Sequence, residues 1–202
     1  YYNPSYNEIV FPAGILQFPF FDFKADDAVN YGAIGFVIGH ELSHGFDDQG
    51  SLYDKDGNLN DWWSKEDRKN FTDRTKKIVD LFNSFDVNGQ KVNGSLTLGE
   101  NIADFGGLAT AYDAFKMTKQ GQSNEKIDGF TPDQRFLLSA TQVWRMKARP
   151  EFETQMLLTD PHSPAKWRIN GPIPHLDVYY TAFNVKEGDK MYVKPEDRIK
   201  VW

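Results

Sequence analysis

The chain has 202 residues, no cysteine, and 23 basic against 29 acidic side chains, for a formal net charge of −6. That length suffices for a hydrophobic core, and 40% hydrophobic with 15% aromatic residues is a globular composition. The acidic balance argues against nucleic acid or an anionic membrane surface as partner, the lack of cysteine excludes disulfides, thiolate metal sites and a cysteine nucleophile, and no apolar run approaches the ~20 residues of a membrane span.

The chain opens at Tyr1, in what reads as a strand, and is expected to be a piece of a longer polypeptide. Glu8-Ile9-Val10-Phe11, followed by Pro12-Ala13-Gly14, predicts a short strand closed by a turn. The stretch Ile15 to Phe23, broken by Pro19, reads as extended. Asp26 and Asp27 supply N-cap chemistry for a helix from Ala28 to about Phe46, in which Val29, Ile34, Val37, Ile38 and Leu42 recur at helical spacing. Gly32, Gly35 and Gly39 each cost ~1 kcal/mol against alanine there, so they are expected to admit another backbone at close range and the helix to be buried. Past the turn-rich Gly50 to Asn60, a second helix is predicted from about Ser64 to Phe85. A hairpin-like Asn88 to Ser95 then leads to a third helix starting near Thr97. A polar linker, Lys119 to Gly129, precedes a fourth helix, Pro132 to about Lys147. The tail from Arg149 to Trp202 carries six of the ten prolines and reads as loop-rich, with one short helix near Leu176 to Phe183. The sum is a mainly α chain with a small β-sheet, no repeat, and one domain over residues 1–202.

His40-Glu41-Leu42-Ser43-His44 is an H-E-x-x-H pattern inside the predicted buried helix. Spacing i, i+4 puts both imidazoles on one face, where they can grip one zinc ion, with Glu41 beside it to take a proton from a bound water. The bland reading is two satisfied histidines and a surface glutamate, but three ionisable groups on an otherwise apolar helix need a reason. A third protein ligand is required. A metzincin would need histidine where Gly50 stands, so the candidate is Glu100 in Gly99-Glu100-Asn101-Ile102-Ala103-Asp104. Asp104, one turn on, can hold a ligand histidine by its second N–H. Thr97-x-x-Glu100 is equally a capping box, in which Glu100 would merely close the helix start. In Asp160-Pro161-His162-Ser163-Pro164 a histidine between prolines can donate to an oxyanion, and Arg168 can bind a substrate carbonyl or carboxylate; a loop histidine and a surface arginine are the plain alternatives. His175 reads only as structural. Asp54-x-Asp56-x-Asn58 begins like a calcium loop but has Leu59 and Lys65 where glycine and glutamate belong, so it is a turn.

These residues together resemble the carboxy-terminal peptidase domain of the neprilysin family of zinc metallopeptidases, in a bacterial oligopeptidase version like the endothelin-converting enzymes. The resemblance rests on Glu8-Ile-Val-Phe-Pro-Ala-Gly-Ile-Leu-Gln17, Val37-Ile-Gly-His-Glu-Leu-Ser-His-Gly-Phe-Asp-Asp48, Gly99-Glu-Asn-Ile-Ala-Asp-Phe-Gly-Gly-Leu108, Arg149-Pro-Glu151, Asp160-Pro-His-Ser-Pro164 and Val201-Trp202. It implies a thermolysin-like zincin (gluzincin) lobe facing a second helical lobe across a cavity. It implies one Zn2+ per chain on His40, His44 and Glu100, with Glu41 as general base, Asp104 orienting a histidine, His162 stabilising the transition state and Arg168 binding the substrate backbone. It also implies a primed-side apolar pocket of Ile15, Phe20, Phe36, Val37, Val143 and Trp144, peptide substrates cut before hydrophobic residues, and an extracytoplasmic location (periplasm, cell surface or secreted). Of the family's Asn-Ala-aromatic-Tyr edge strand only Tyr1-Tyr2 is present, and Arg145 and the Arg198 to Lys200 stretch stand where animal members carry cysteines. The amino-terminal lobe would be a partner from the same polypeptide, with no nucleic acid and no membrane contact from this segment. The rival expectation is a metal-binding but inactive domain used for peptide capture or scaffolding.

Overall fold

The computed structural model describes all 202 residues. At its start β1 (Tyr2–Asn3) pairs antiparallel with β2 (Glu8–Ile9), Tyr2 lying opposite Ile9. The following apolar stretch is not extended: a 3-10 turn spans Ala13–Ile15, and Gln17 accepts from the backbone N–H groups of both Phe20 and Phe21.

The zinc-motif helix is continuous, as its periodicity demands, but not uniform. α1 (Asp27–Asn30) passes through a π-helical turn (Tyr31–Gly35) into α2 (Phe36–Ser43), and a 3-10 turn (His44–Phe46) ends it. Asp26 occupies the N-cap position without capping, because its carboxylate is drawn to Arg135 and to Gln120 Nε2. Nor is the rod buried all round: Ile38 and Leu42 are 40% and 50% exposed on its outer face.

α3 (Lys65–Ser84) begins where the Ser64 hydroxyl accepts from Asp67 N–H at 3.0 Å. β3 (Asp86–Val87) and β4 (Gln90–Lys91) form a second two-stranded hairpin, whose Asn88-Gly89 turn has φ of 54° and 81° at its central residues, the sign that an Asn-Gly pair tolerates. Next come α4 (Leu98–Lys116) and α5 (Pro132–Val143), the latter closed by a Thr131/Gln134 capping box. α5 stops at Val143 and not near Lys147, and the chain runs on to an extended Arg149, the conformation that a following proline favours. The tail is more helical than its prolines suggest, with α6 (Pro150–Thr159), α7 (Ala165–Asn170) and α8 (Asp177–Phe183). Pro150 opens α6 at its first turn and Pro164 immediately precedes α7, places where the missing N–H costs nothing.

α4 is the spine. Its Leu108, Ala111 and Phe115 pack with Phe36, Phe136, Leu137 and Ile169 in one apolar cluster. Its Ile102 and Phe105 pack with Phe71, Ile78, Phe82 and Val201 in another. α2 crosses α4 glycine on glycine: a Cβ built on Gly39 would lie 2.6 Å from the Gly107 carbonyl oxygen, and one on Gly107 would lie 2.4 Å from His40 N. Only bare backbone fits, and this contact sets the histidines of one helix against the carboxylates of the other.

Candidate metal and active centre

His40 and His44 project from one side of α2 and its 3-10 extension, and their Nε2 atoms stand 3.0 Å apart. Each Nδ1 is held by a carboxylate: His40 by Asp104 Oδ1 at 2.9 Å, His44 by Asp47 Oδ2 at 2.7 Å. An ionised carboxylate can only accept, so each Nδ1 carries the proton, and in neutral imidazoles both Nε2 lone pairs then face one point. Two bare lone pairs at 3.0 Å repel, so the gap takes either a proton shared between the rings or a metal cation.

Glu100, on the first turn of α4, completes the set, with Oε2 3.2 Å from His40 Nε2 and Oε1 3.6 Å from His44 Nε2. The capping-box alternative for Glu100 does not form. Thr97 N–H donates to the Asn93 carbonyl, and Thr97 Oγ1 accepts from Asn101 Nδ2. The Glu100 carboxylate is therefore free to face the histidines. Ligands 2.0–2.1 Å from a tetrahedral ion stand about 3.3 Å from one another, and the three separations here bracket that value. These residues fit a metal ion.

The electrostatics favour a cation. Burial pushes His40 down, but hydrogen bonds to Asp104 and Glu100 overcome it and raise its pKa to about 9. Burial pushes the Asp104 and Glu100 carboxyls up. Arg168 and His40 outweigh it for Asp104, and His40 and Arg168 do so for Glu100, so both stay below their ordinary values. The field that draws a proton to His40 would stabilise a divalent ion in its place.

Glu41 follows His40 directly; its carboxylate, 13% exposed, meets the chain's amino-terminal ammonium at 3.5 Å and makes no side-chain hydrogen bond. His162 approaches from the loop after α6: its Nε2 lies 3.3 Å from Glu100 Oε1, while Asp160 Oδ1 accepts from both its backbone N–H and Nδ1. His40, Glu41, His44, Glu100 and His162 thus line one open groove of about 700 Å³.

Arg168 sits differently from a surface residue reaching for substrate. It is 7% exposed, and its Nε and one Nη donate to the two oxygens of fully buried Asp104 at 2.9 and 2.8 Å. Its guanidinium lies 4.2 Å from the centre of the Trp144 ring. The remaining Nη1 makes no hydrogen bond within the chain and is the donor left for a ligand. Arg168 and His162 also wall a cavity of about 450 Å³ with Val143, Trp144, Phe152 and Met156. Of the six expected pocket residues, only Val143 and Trp144 reach this wall. Phe36 is 1% exposed and packs edge-on behind Trp144, as core. Ile15, Phe20 and Val37 lie outside the cavity.

Two residues escaped sequence reasoning, Asp47 and Asp160, each fixing a site histidine. The signals were present as His44 to Asp47 at i, i+3 and as an aspartate two residues before His162, but carboxylates at such spacings are too common to be selective. His175 is structural as read: buried, with Nδ1 accepting from Ile199 N–H at 3.0 Å.

A largely helical chain carrying two imidazoles, a carboxylate and a second glutamate in one groove has the outline of a metal-dependent hydrolase. Comparison with known proteins agrees. The signature of Peptidase family M13 matches residues 1–199, and the chain belongs to that family. Endothelin-converting enzyme 1 of Bos taurus is 45% identical over 205 residues, covering 100% of this chain and 27% of that protein. The neutral endopeptidase of Lactococcus lactis is 44% identical over 202 residues, covering 100% of this chain and 31% of that protein. Among solved structures, the zinc metalloprotease ZMP1 of Mycobacterium tuberculosis, in complex with an inhibitor, superposes with a TM-score of 0.96 at 46% identity, over 99% of this chain and 32% of that one. PepO from Lactobacillus rhamnosis gives 0.89 at 39% identity, over 98% of this chain and 30% of that one. The chain therefore spans about three-tenths of the length of the relatives it matches.

Proposed function

We propose that the chain is the zinc-binding part of an endopeptidase or oligopeptidase that hydrolyses short peptides before hydrophobic residues. The observation that carries this reading is the pair of Nε2 atoms 3.0 Å apart, each ring locked by a carboxylate, with Glu100 alongside. His40, His44 and Glu100 would hold one zinc ion, which supplies a Lewis acid and lowers the pKa of its bound water. Glu41 takes the proton of the attacking water and passes it to the leaving amine. His162, steadied by Asp160, donates a hydrogen bond to the developing oxyanion. Asp104 keeps His40 in its metal-binding tautomer, and Arg168 positions Asp104 while offering Nη1 to the substrate backbone. The 450 Å³ cavity beside His162 takes the hydrophobic side chain that follows the scissile bond.

The rest of the polypeptide would face this groove and exclude water, an inference supported by relatives of which this chain covers only 27% and 31%. No helix here is long and apolar enough to cross a membrane, and we place the protein outside the cytoplasm by its likeness to its family.

The test is Glu41→Gln in the zinc-loaded, full-length polypeptide, assayed on a quenched peptide with a central Gly-Phe bond. Loss of the base should lower kcat by about 10²–10⁴-fold with zinc content held at one per chain. Retention of more than a tenth of the activity would refute Glu41 as base. A wild-type protein that holds zinc and cuts no peptide would leave the metal-binding, inactive module.

A further inference from the structure

The cavity beside His162 carries four charged side chains on its wall, and three of them are occupied. Arg168 has its charge paired to both oxygens of Asp104, with only Nη1 left to donate. Asp160 is taken by His162. Glu153 accepts from Asn88 Nδ2 at 3.0 Å. Arg145 alone makes neither an ion pair nor a side-chain hydrogen bond, and it stands exposed in the segment that leaves α5 directly after Trp144. Lys147 and Arg149 follow, both exposed and likewise without ion pairs. One short stretch of a chain with net charge −6 thus holds three cations and no acid.

Val143, Trp144, Met146, Phe152, Met156 and Ala165 supply the apolar part of the wall, which suits an apolar side chain. At about 450 Å³ it lies in the size range of small-ligand pockets, with space beyond a single side chain. A guanidinium matches a carboxylate in fork geometry, and one with no partner of its own has none to give up on binding.

We propose that Arg145 is a specificity-determining residue, selecting peptides in which the hydrophobic residue seated in this cavity is followed closely by a carboxylate. That carboxylate is either an acidic side chain or the free carboxy terminus. This rests on the peptidase reading above and adds the substrate class to it: short acidic peptides, or peptides cut close to their carboxy-terminal end.

Three peptides, identical up to a Gly-Phe bond and ending in Phe-Gln-amide, Phe-Glu-amide or Phe-Gln with a free carboxylate, separate the sources. With the zinc-loaded full-length polypeptide, kcat/KM for one or both carboxylate peptides should exceed that of the neutral one by on the order of threefold to tenfold, falling with added salt. In Arg145→Gln the ratio should drop to about one, and in Arg145→Glu it should invert. Ratios within one variant cancel any difference in folding or zinc content. A second readout needs no catalysis: Phe-Gln and Phe-Gln-amide titrated against zinc-free protein, followed by tryptophan fluorescence, should show tighter binding of the acid only while Arg145 is present. Equal kcat/KM for all three peptides, or a preference that survives in Arg145→Gln, would overturn the proposal. If no peptide is cut, the peptidase reading fails, and the binding titration alone still decides the role of Arg145.

Discussion

The glycine-on-glycine crossing of α2 and α4 makes a prediction whose sign is opposite to that of helix propensity. Replacing a mid-helix glycine by alanine should stabilise a helix by ~1 kcal/mol. At Gly107, however, the added methyl would sit 2.4 Å from His40 N and 2.7 Å from His40 Cα, both backbone atoms that no rotamer change can move aside. Restoring an ordinary contact of 3.4 Å requires the helices to part by about 1 Å. Overpacking of this kind costs about 1–3 kcal/mol, and the upper end applies where backbone meets backbone. Net of propensity, Gly107→Ala should lose about 2 kcal/mol, a fall of about 4–8 °C in Tm for a chain of this size. The functional effect should be larger, because His40 and His44 stand on one helix and Glu100 on the other. Metal–ligand distances tolerate only about 0.2 Å, so a 1 Å separation removes Glu100 from the ion, and zinc affinity should fall on the order of tenfold or more. Competition with a chelator of known affinity reads the second number, and thermal unfolding reads the first. Gly35, in the rod that carries the histidines, is the control: contrary to expectation no other helix approaches it, a methyl there meets nothing nearer than 3.5 Å, and Gly35→Ala should be neutral or stabilising. A Gly107→Ala protein with raised Tm and unchanged zinc affinity would refute the reasoning.

Removal of Arg168 should be more damaging than its position one element away from the metal suggests, because Asp104 is fully buried and would lose its only permanent cation. Arg168→Met should cost about 3–5 kcal/mol in denaturant unfolding of the zinc-free protein, and Asp104→Asn in the same background should recover part of it; a loss below 1 kcal/mol would mean the pair is dispensable. His175 supplies a pH prediction of defined sign. Burial, and then Arg198, push its pKa down to about 4, against about 6.5 when unfolded. Its contribution is complete above pH 6.5 and is lost as pH falls toward 4, because the unfolded chain takes the proton first, for a total of about 3 kcal/mol. His175→Asn keeps an acceptor for Ile199 N–H without the titration. Stability measured by urea unfolding from pH 7 to 4 should therefore fall less steeply in the variant, and parallel curves would contradict the assignment.

Local chemistry made much of this chain legible in advance. The H-E-x-x-H spacing puts two rings on one face in any helix, the Asn-Gly pair demands a tight hairpin, and Ser64 opens a helix as its hydroxyl dictates. Each of these depends on residues within about one turn of one another, where spacing alone decides geometry. The role of Glu100 was not of that kind. Its sequence fits a cap and a metal ligand equally, and the choice fell to Asn93 and Asn101, which satisfy Thr97, and to the contact that presses α4 against α2. Arg168 likewise looks like a surface cation in sequence, and only the folding of α7 onto α4 turns it inward onto Asp104. The prolines of the tail misled for a related reason: proline ends an α-helix and also begins one, and packing against the core settles which. The residue types of the site and the helix that carries its two histidines are short-range facts, readable from the amino-acid order alone. Which distant carboxylates join them was settled by packing: α2 and α4 converge on bare backbone at Gly39 and Gly107, where segments far apart in sequence meet without a side chain between them, and the His162 loop is tied to α4 by the Ser163 hydroxyl donating to Asn101 Oδ1.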